Sequence, residues 1–492
     1  MPNPHFQLYI NGQFLNGSEN QTLASNNPAT GEPWATFACA SKADVEHAVA
    51  AAGGALSGPW SKMTPTARGK MIHQLADLVE KHAPALGEIE TTDSGKLAIE
   101  TKNQTAYVAD YYRYYAGLAD KIQGATLPID KPDMHVFTTQ IPIGVVAAIV
   151  PWNAQIFLSA TKIGPALAAG CTLVVKASEV APCTLLEFAK LIHEVGFPPG
   201  VVSIVTGDAE NCAVPLTSHP DVDRIAFTGG EHSARHVVRN SANNFAVTSL
   251  ELGGKSPIIV FEDANVESAV NGLIAGNFGA SGQSCVAGSR ALIHRSIKEE
   301  VIQRISDRSR DIVIGDPLDS ATHVGPLCTL DQVEKIEATL EQAVTQGASI
   351  QFGGKRATSK TKGNYFEPTL VDCPTPNIET LLVEMFGPVM SILAFDDEDE
   401  AIALANESRY GLGSGVFTEN LARAHRVSSQ IRSGICWINS YRAISPIAPF
   451  GGFNHSGYAR EAGLEAIRDY TRTRTTWINI SDEPMANPFV MR

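Results

Sequence analysis

Apolar and polar positions along the chain fall into two alternating registers. Between about residues 144 and 261, short apolar runs at 145–150, 172–175, 201–205, 224–227 and 257–260 have the length and β-branched content of buried strands. Stretches with helical period separate them, at 157–169, 183–195 and 209–217. Gly170 stands just beyond the first of these, where a glycine in the left-handed conformation ends a helix. Strands alternating with helices predict an α/β fold with a doubly wound parallel sheet, whose nucleotide sites lie at the carboxyl ends of the strands. After Cys285 a second α/β series begins, with helices over 298–309, 331–346 and 421–430 and strands over 390–395 and 434–438. Residues 123–140 and the tail after Thr471 are rich in Thr, Pro and β-formers without a helical period. They are expected to form strands outside both cores, suited to a sheet between subunits.

A length of 492 residues exceeds what one hydrophobic core usually supports, so two or three domains are expected. Apolar residues make up 44% and charged residues 18%, an ordinary folded composition. With 38 basic against 52 acidic residues the net charge is −14, which repels nucleic acid and anionic membrane. The expected partner is therefore a small molecule, with no nucleic acid and no membrane. Eight cysteines without a C-x-x-C pair are too dilute for a disulfide framework and predict a reducing compartment. The start of the chain has no basic region followed by an apolar run, and no segment offers about 18 uninterrupted apolar residues, so a cytoplasmic location is expected.

Some motifs fail on inspection. Gly253-Gly254-Lys255-Ser256 ends like a phosphate-binding P-loop, but Ser249 occupies the first glycine position and Pro257 leads into a strand rather than a helix. There is no H-E-x-x-H and no G-x-S-x-G, and no metal site is expected. Cys285 lies in Gly279-Ala280-Ser281-Gly282-Gln283-Ser284-Cys285-Val286-Ala287-Gly288, whose small residues leave the sulfur uncrowded. Taken alone it reads either as an activated thiol or as a small buried hydrophobe.

Several separated motifs decide between these. Pro151-Trp152-Asn153 and Lys176-Ala177-Ser178-Glu179 follow the first two strands, and Phe227-Thr228-Gly229-Gly230 and Glu251-Leu252-Gly253-Gly254-Lys255 precede Gly282-Gln283-Ser284-Cys285. Glu384-Met385-Phe386-Gly387-Pro388 and Pro449-Phe450-Gly451-Gly452, with Ser456-Gly457 and Arg460-Glu461, complete the order. In this order, and in the spacing of Glu251 from Cys285, the chain resembles the hydrolytic, NAD(P)-dependent type of the aldehyde dehydrogenase superfamily. The resemblance implies a doubly wound parallel-sheet cofactor domain (1–122 and 142–253), a second α/β catalytic domain (254–455) and a small β oligomerisation extension (123–141 and 471–492). It implies a homodimer or homotetramer.

It further implies that Cys285 attacks an aldehyde, that the Asn153 amide and the Cys285 N–H hold the resulting alkoxide, and that Glu251 activates water to clear the thioester. Taken singly, Asn153 reads as a turn residue and Glu251 as a solvated charge. By the same resemblance Lys176 and Glu179 meet the adenosine ribose, and Trp152, Gly229 and Gly230 line the pyrophosphate path. Glu384 holds the nicotinamide ribose, Phe386 and Leu252 flank the ring, and Gln332 and Lys335 add a ribose contact. Glu179 predicts NAD over NADP, since its carboxylate repels a 2′-phosphate, with NADP left possible.

Departures from the family pattern fall in the pocket and the cofactor loop: Ala154-Gln155 for Phe-Pro, Gly230 for Ser, Ala234 for Gly and Asn454 for Lys. By position the substrate pocket comprises Tyr112, Ala154, Leu158, Thr161, Ser284, Val286, Arg442 and Phe450. Arg442 reads either as an anchor for a semialdehyde carboxylate or as a surface arginine. The functional alternatives are a CoA-acylating semialdehyde dehydrogenase, which generally lacks the glutamate base, and a catalytically silent binding or structural relative.

Overall fold

The computed structural model describes residues 3–358, 362–485 and 487–490. The ends of the 1–122 and 471–492 assignments and positions 359–361, 486, 491 and 492 lie outside the described residues. Among the described residues the first sheet runs Gly457–Tyr458, Val247–Glu251, Arg224–Thr228, Val145–Ile149, Thr172–Ala177, Val202–Thr206, Leu8–Ile10, Gln13–Leu15 from edge to edge. Its central strands are parallel, from Val247–Glu251 across to Val202–Thr206. Val145–Ile149, Thr172–Ala177, Val202–Thr206 and Arg224–Thr228 are buried throughout, which is why they read as unbroken apolar runs. The Gln155–Ala169 and Cys183–Val195 helices pack on this sheet, and Gly170 ends the former at φ +92° as its position in the sequence predicts.

The strand order reverses beside Val145–Ile149. From there the chain adds Thr172–Ala177 and Val202–Thr206 on one side, then crosses back to add Arg224–Thr228 and Val247–Glu251 on the other. Such a switch point leaves a crevice at the carboxyl ends of Val145–Ile149 and Arg224–Thr228, because the following loops diverge in opposite directions.

The second sheet runs Ser349–Phe352, Thr369–Asp372, Val389–Phe395, Arg290–His294, Pro257–Val260, Gly413–Phe417, Ile435–Ile438, parallel apart from the first strand. Pro257–Val260 thus pairs in this sheet and not with the earlier apolar runs. Its place in the first sheet goes to Val247–Glu251, whose first two residues are not buried and so weaken the apolar pattern. The helix expected over 209–217 divides into a wide turn at Ala209–Ala213 and a short helix at Val214–Thr217, with Pro215 opening the latter.

Only Leu252 to Ser256 join the last parallel strand of the first sheet to Pro257 of the second. The carboxyl edge of one sheet therefore faces the amino edge of the other, and the loops before Arg290, Val389 and Gly413 converge on it. Outside both cores, Met134–Pro142 pairs antiparallel with Thr471–Asn479 along its full length. No helix among the described residues is long and apolar enough to cross a membrane.

One buried carboxyl ties three elements on the far side of the first sheet. Asp93, near the end of the Pro65–Ser94 helix, accepts from the backbone N–H of Cys183 at 2.8 Å, capping the Cys183–Val195 helix, and from the Trp34 indole at 3.2 Å. The Ser25 hydroxyl donates to it as well. Burial outweighs these donors and pushes the carboxyl up to about 6. Between an ordinary value near 3.9 and that figure, the folded chain holds a proton that the unfolded chain has released, so this group's contribution falls as pH rises from about 4 to about 6, by roughly 3 kcal/mol. In denaturant unfolding, the stability of the wild type relative to Asp93→Asn is expected to fall by that amount over the interval; a difference independent of pH would refute the assignment.

Candidate active site

The crevice at the switch point opens into two cavities that share Pro151, Trp152, Thr228, Gly229 and Gly230. The wider, about 640 Å³, extends over Lys176 and Glu179 and along the Glu231–Ser241 helix. The narrower, about 230 Å³, is lined by Asn153, Leu158, Glu251, Leu252, Cys285, Gln332, Lys335, Glu384 and Phe386. The three candidate catalytic residues thus meet around one cavity, and all ten candidate cofactor residues line one cavity or the other.

Each is held by a local feature of the backbone. Asn153 follows the Val145–Ile149 strand, and its amide Nδ2 donates to the carbonyl of Gln283 at 3.1 Å, linking the first sheet to the loop that carries Cys285. That loop turns through three consecutive left-handed residues, Ala280 and Ser281 at φ +53° and Gly282 at φ +72°. Only glycine fits at the third, since a Cβ on Gly282 would lie 2.1 Å from the Gly387 carbonyl. The strained pair is pinned by Glu100, which accepts from the Ala280 N–H at 2.9 Å, by Ser281 donating to the Gly325 carbonyl at 2.9 Å, and by Gln283 accepting from the Cys328 N–H at 2.8 Å.

Glu251 ends its strand fully buried, neither oxygen having a hydrogen-bond partner among the described residues, with Gly451 packed against the carboxylate. Burial, reinforced by the charge of Glu461, raises its carboxyl well above the ordinary range, and Lys162 and Arg460 oppose the rise. Glu384 is also pushed up by burial, against the opposing Gly254 N–H at 3.0 Å. Its carboxylate lies so close to Gly253 that a Cβ there would meet it at 2.1 Å. Gln332 and Lys335 line the cavity but direct their donors to the carbonyls of Met385 and Glu384, bracing this segment. Phe386, itself left-handed at φ +49°, sets its ring edge-on to Trp152 at 5.5 Å.

The surroundings fit a dinucleotide. Backbone N–H groups at the start of the Glu231–Ser241 helix face the wide cavity, and a Cβ built on Gly230 meets only open space, so the chain can approach a phosphate there. The Lys176–Glu179 ion pair lies at one end of this path and half-buried Glu384 at the other.

Two expected pocket residues are placed elsewhere. Tyr112 is fully buried and stacked on Phe188, inside the core. One helical step of about 100° separates it from Tyr111, which packs edge-on to half-buried Phe157 at 5.1 Å. Thr161 donates to Glu461 at 2.8 Å, within a buried cluster rather than a cavity wall. That cluster escaped the sequence reading: Lys162, wholly buried, pairs with Glu461 and donates to Thr228 at 2.6 Å, beside Glu251. Its one signal is a lysine inside the otherwise apolar 156–169 segment. Leu158 lines the narrow cavity, and Val286 and Phe450 pack with Cys285 on its other side. Ala154 is buried at the start of its helix, while Ser284 and Arg442 remain half-exposed.

The aldehyde dehydrogenase family model matches residues 14–476. A (Z)-2-((N-methylformamido)methylene)-5-hydroxybutyrolactone dehydrogenase of Acinetobacter baylyi is 55% identical over 99% of both chains. Among solved structures, an aldehyde dehydrogenase of Bacillus cereus in complex with NAD+ is 39% identical with a TM-score of 0.95, covering 97% of each chain. A betaine aldehyde dehydrogenase of Staphylococcus aureus in complex with NAD+ is 37% identical with a TM-score of 0.96, covering 99% of this chain and 97% of that one.

Burial, then the charges of Glu384 and Glu251, push the Cys285 thiol up to about 12. Alkylation of the Cys285 peptide by iodoacetamide, followed by mass spectrometry without nucleotide, is expected to accelerate about tenfold per pH unit from about pH 7 to about pH 9 without a plateau. Glu251→Gln removes one opposing charge and should raise the rate. A plateau within that range would contradict this environment.

Proposed function

The chain belongs to the aldehyde dehydrogenase family, and from that premise we propose that it oxidises an aldehyde to its carboxylic acid with NAD through a thioester on Cys285. The observation that carries this reading is the convergence of Cys285, Asn153 and Glu251 on one cavity continuous with a dinucleotide-shaped crevice. The Cys285 thiol releases its proton to solvent as its sulfur adds to the aldehyde carbon, giving a tetrahedral alkoxide that the Asn153 amide and the Cys285 N–H hold. When bound, NAD supplies the hydride acceptor. Loss of hydride from the tetrahedral carbon leaves a thioester on Cys285. Glu251 then takes a proton from water, whose oxygen adds to the thioester carbon and releases the acid and the thiol. A buried carboxyl with a raised proton affinity suits that task better than an exposed one, because its basicity lies nearer the working pH. Lys162 and Arg460 offset its charge, and Glu461 opposes them.

Glu251 favours hydrolysis over transfer of the acyl group to CoA, and the three reactive groups together favour an enzyme over a silent relative. The name of the 55%-identical relative guides the substrate class. A 5-hydroxybutyrolactone is the ring-closed form of a chain bearing an aldehyde at one end and a carboxylate at the other, so we assign a semialdehyde. The protein is proposed to act in the cytoplasm as a homodimer or homotetramer, joined through the Thr471–Asn479 strand, where Trp477 and Ile478 are exposed.

NADH formation with succinic semialdehyde tests the assignment. Cys285→Ser should abolish it, Asn153→Ala should lower kcat by about a hundredfold, and Glu251→Gln should give a burst of NADH near one per active site followed by stalling. Turnover by Cys285→Ser, or acid release that depends on added CoA, would refute the mechanism. Glu179→Gln releases Lys176 from its ion pair and removes the charge that repels a 2′-phosphate. The kcat/KM ratio of NADP to NAD is expected to rise about tenfold or more, and an unchanged ratio would count against Glu179 as the selector.

A further inference from the structure

We propose that Tyr441 is a positioning residue for the reacting thiol, its hydroxyl holding in place the turn whose two central residues are Cys285 and Val286. The inference rests on the aldehyde-oxidising reading of that cysteine.

Ala287 donates its backbone N–H to the Ser284 carbonyl at 3.0 Å, which closes a four-residue turn around Cys285 and Val286. The peptide unit that supplies this N–H also carries the Val286 carbonyl, and the Tyr441 hydroxyl donates to that carbonyl at 3.0 Å. The plane joining Val286 to Ala287 is therefore held from both ends, on one side by the turn itself and on the other by a residue 155 positions later in the chain. Just beyond, Gly288 donates to the Gly276 carbonyl at 3.1 Å, tying the exit from the turn to the Val266–Phe278 helix.

Three glycines from separate elements make room for the ring. A Cβ on Gly276 of that helix would lie 2.9 Å from it, one on Gly415 of the Gly413–Phe417 strand 2.9 Å, and one on Gly288 3.2 Å. Trp437 closes the socket with ring centroids 4.8 Å apart, and is itself fixed by its indole N–H donating to the Ala443 carbonyl at 2.8 Å. Asn439, left-handed at φ +50°, turns the chain toward this position, its side chain accepting from the Thr418 N–H and donating to the Thr418 carbonyl, both at 3.0 Å. Val286, Leu412 and Trp437 form a small buried cluster, and Cys285 and Tyr441 both pack on it. A ring confined in this way presents its hydroxyl as a fixed donor.

Holding that peptide matters because of what surrounds the sulfur. Glu384 and Glu251 disfavour its thiolate, whereas the Val286 N–H and the charge of Arg442 favour it. The N–H and the carbonyl of Val286 are set by one pair of backbone dihedrals, so fixing the carbonyl also fixes the direction of the N–H toward the sulfur. The Cys285 N–H, which holds the alkoxide in the proposed reaction, belongs to the same turn. The titratable and charged groups acting on Tyr441 itself are Arg442, Cys285 and Cys436, with the Ser256 hydroxyl beside it. Burial raises the Tyr441 hydroxyl far above its ordinary value, so it remains a donor across the neutral range.

The test uses Tyr441→Phe, which keeps the ring in its socket and removes only the hydroxyl. Iodoacetamide alkylation without nucleotide, followed at the Cys285 peptide by mass spectrometry, is expected to slow about three- to tenfold at every pH from about 7 to about 9, with an unchanged slope. The kcat/KM for succinic semialdehyde, which reports attack and hydride transfer, should fall by a similar factor while the dissociation constant of NAD changes less than about twofold. A role confined to stability would lower the melting temperature and leave the alkylation rates of the folded protein where they were. Gly415→Ala gives a second route, since its methyl group meets ring and aliphatic atoms only and displaces the hydroxyl without touching the turn. It should slow alkylation in the otherwise native chain and add less than about twofold on top of Tyr441→Phe. Equal or faster alkylation in Tyr441→Phe, or full additivity of the two substitutions, would overturn the positioning role and leave aldehyde oxidation standing. A wild type that forms no NADH with either succinic semialdehyde or butanal would instead overturn the underlying reading, and the alkylation rates would still decide the role of Tyr441.

Discussion

The hydrogen bond from the Asn153 amide to the Gln283 carbonyl ties the first sheet to the loop that carries Cys285, and the geometry of the cleft depends on that tie. Asn153 is fixed by the strand that ends at the switch point of the first sheet. Gln283 directly follows the left-handed run Ala280 to Gly282, in the loop before Arg290 of the second sheet. Because the connecting backbone is so short, the edges cannot drift apart at Leu252 to Ser256. Ser456 adds a latch there, donating to the Gly253 carbonyl at 2.7 Å and accepting from the Gly411 N–H at 3.0 Å. The thiol, the amide and the two carboxylates are thus held by rigid sheet ends, which suits chemistry that tolerates little misplacement.

The cost of that arrangement is desolvation. Glu251 and Lys255 are buried and Glu384 and Cys285 partly so, and each has its proton equilibrium pushed toward the neutral form. Lys255 drops to about 7, and its ammonium nitrogen has no hydrogen-bond partner among the described residues. Arg290 beside it is brought to about 10 while it donates to the carbonyls of Lys255, Leu404 and Ala405. Groups poised in this way change charge readily when a neighbouring charge arrives, which is the condition a site needs to switch on only when its ligands are assembled.

Much of this could be read from residue order. The apolar runs at 145–150, 172–175 and 224–227 mark real central strands, because strands buried on both faces leave an unbroken apolar signature. The motif residues lie at strand ends, where loops converge, so their roles could be proposed from the resemblance before any geometry was known. Partner choice could not be read: Pro257–Val260 looks like its predecessors but pairs in the other sheet. Gly413–Phe417 was invisible, since its glycines are poor strand formers, retained because Trp437 and Tyr441 press against them. Side-chain direction failed for a related reason. Tyr111 and Tyr112 are chemically alike and both buried, and only the helix phase decides that one packs on Phe157 and the other on Phe188.

The first sheet takes its flanking strands from distant parts of the chain, Leu8–Ile10 on one side and Gly457–Tyr458 on the other, and Glu251 pairs directly with Gly457. Arg224–Thr228 flanks Glu251 on its other side, so during synthesis Cys285 leaves the ribosome after the first of the two strands beside Glu251 and more than a hundred residues before the second. A nascent chain has its reactive sulfur long before the neighbouring carboxylate is locked in position. The sheet edge beside Glu251 can therefore close only after the segment that carries the cysteine has been made.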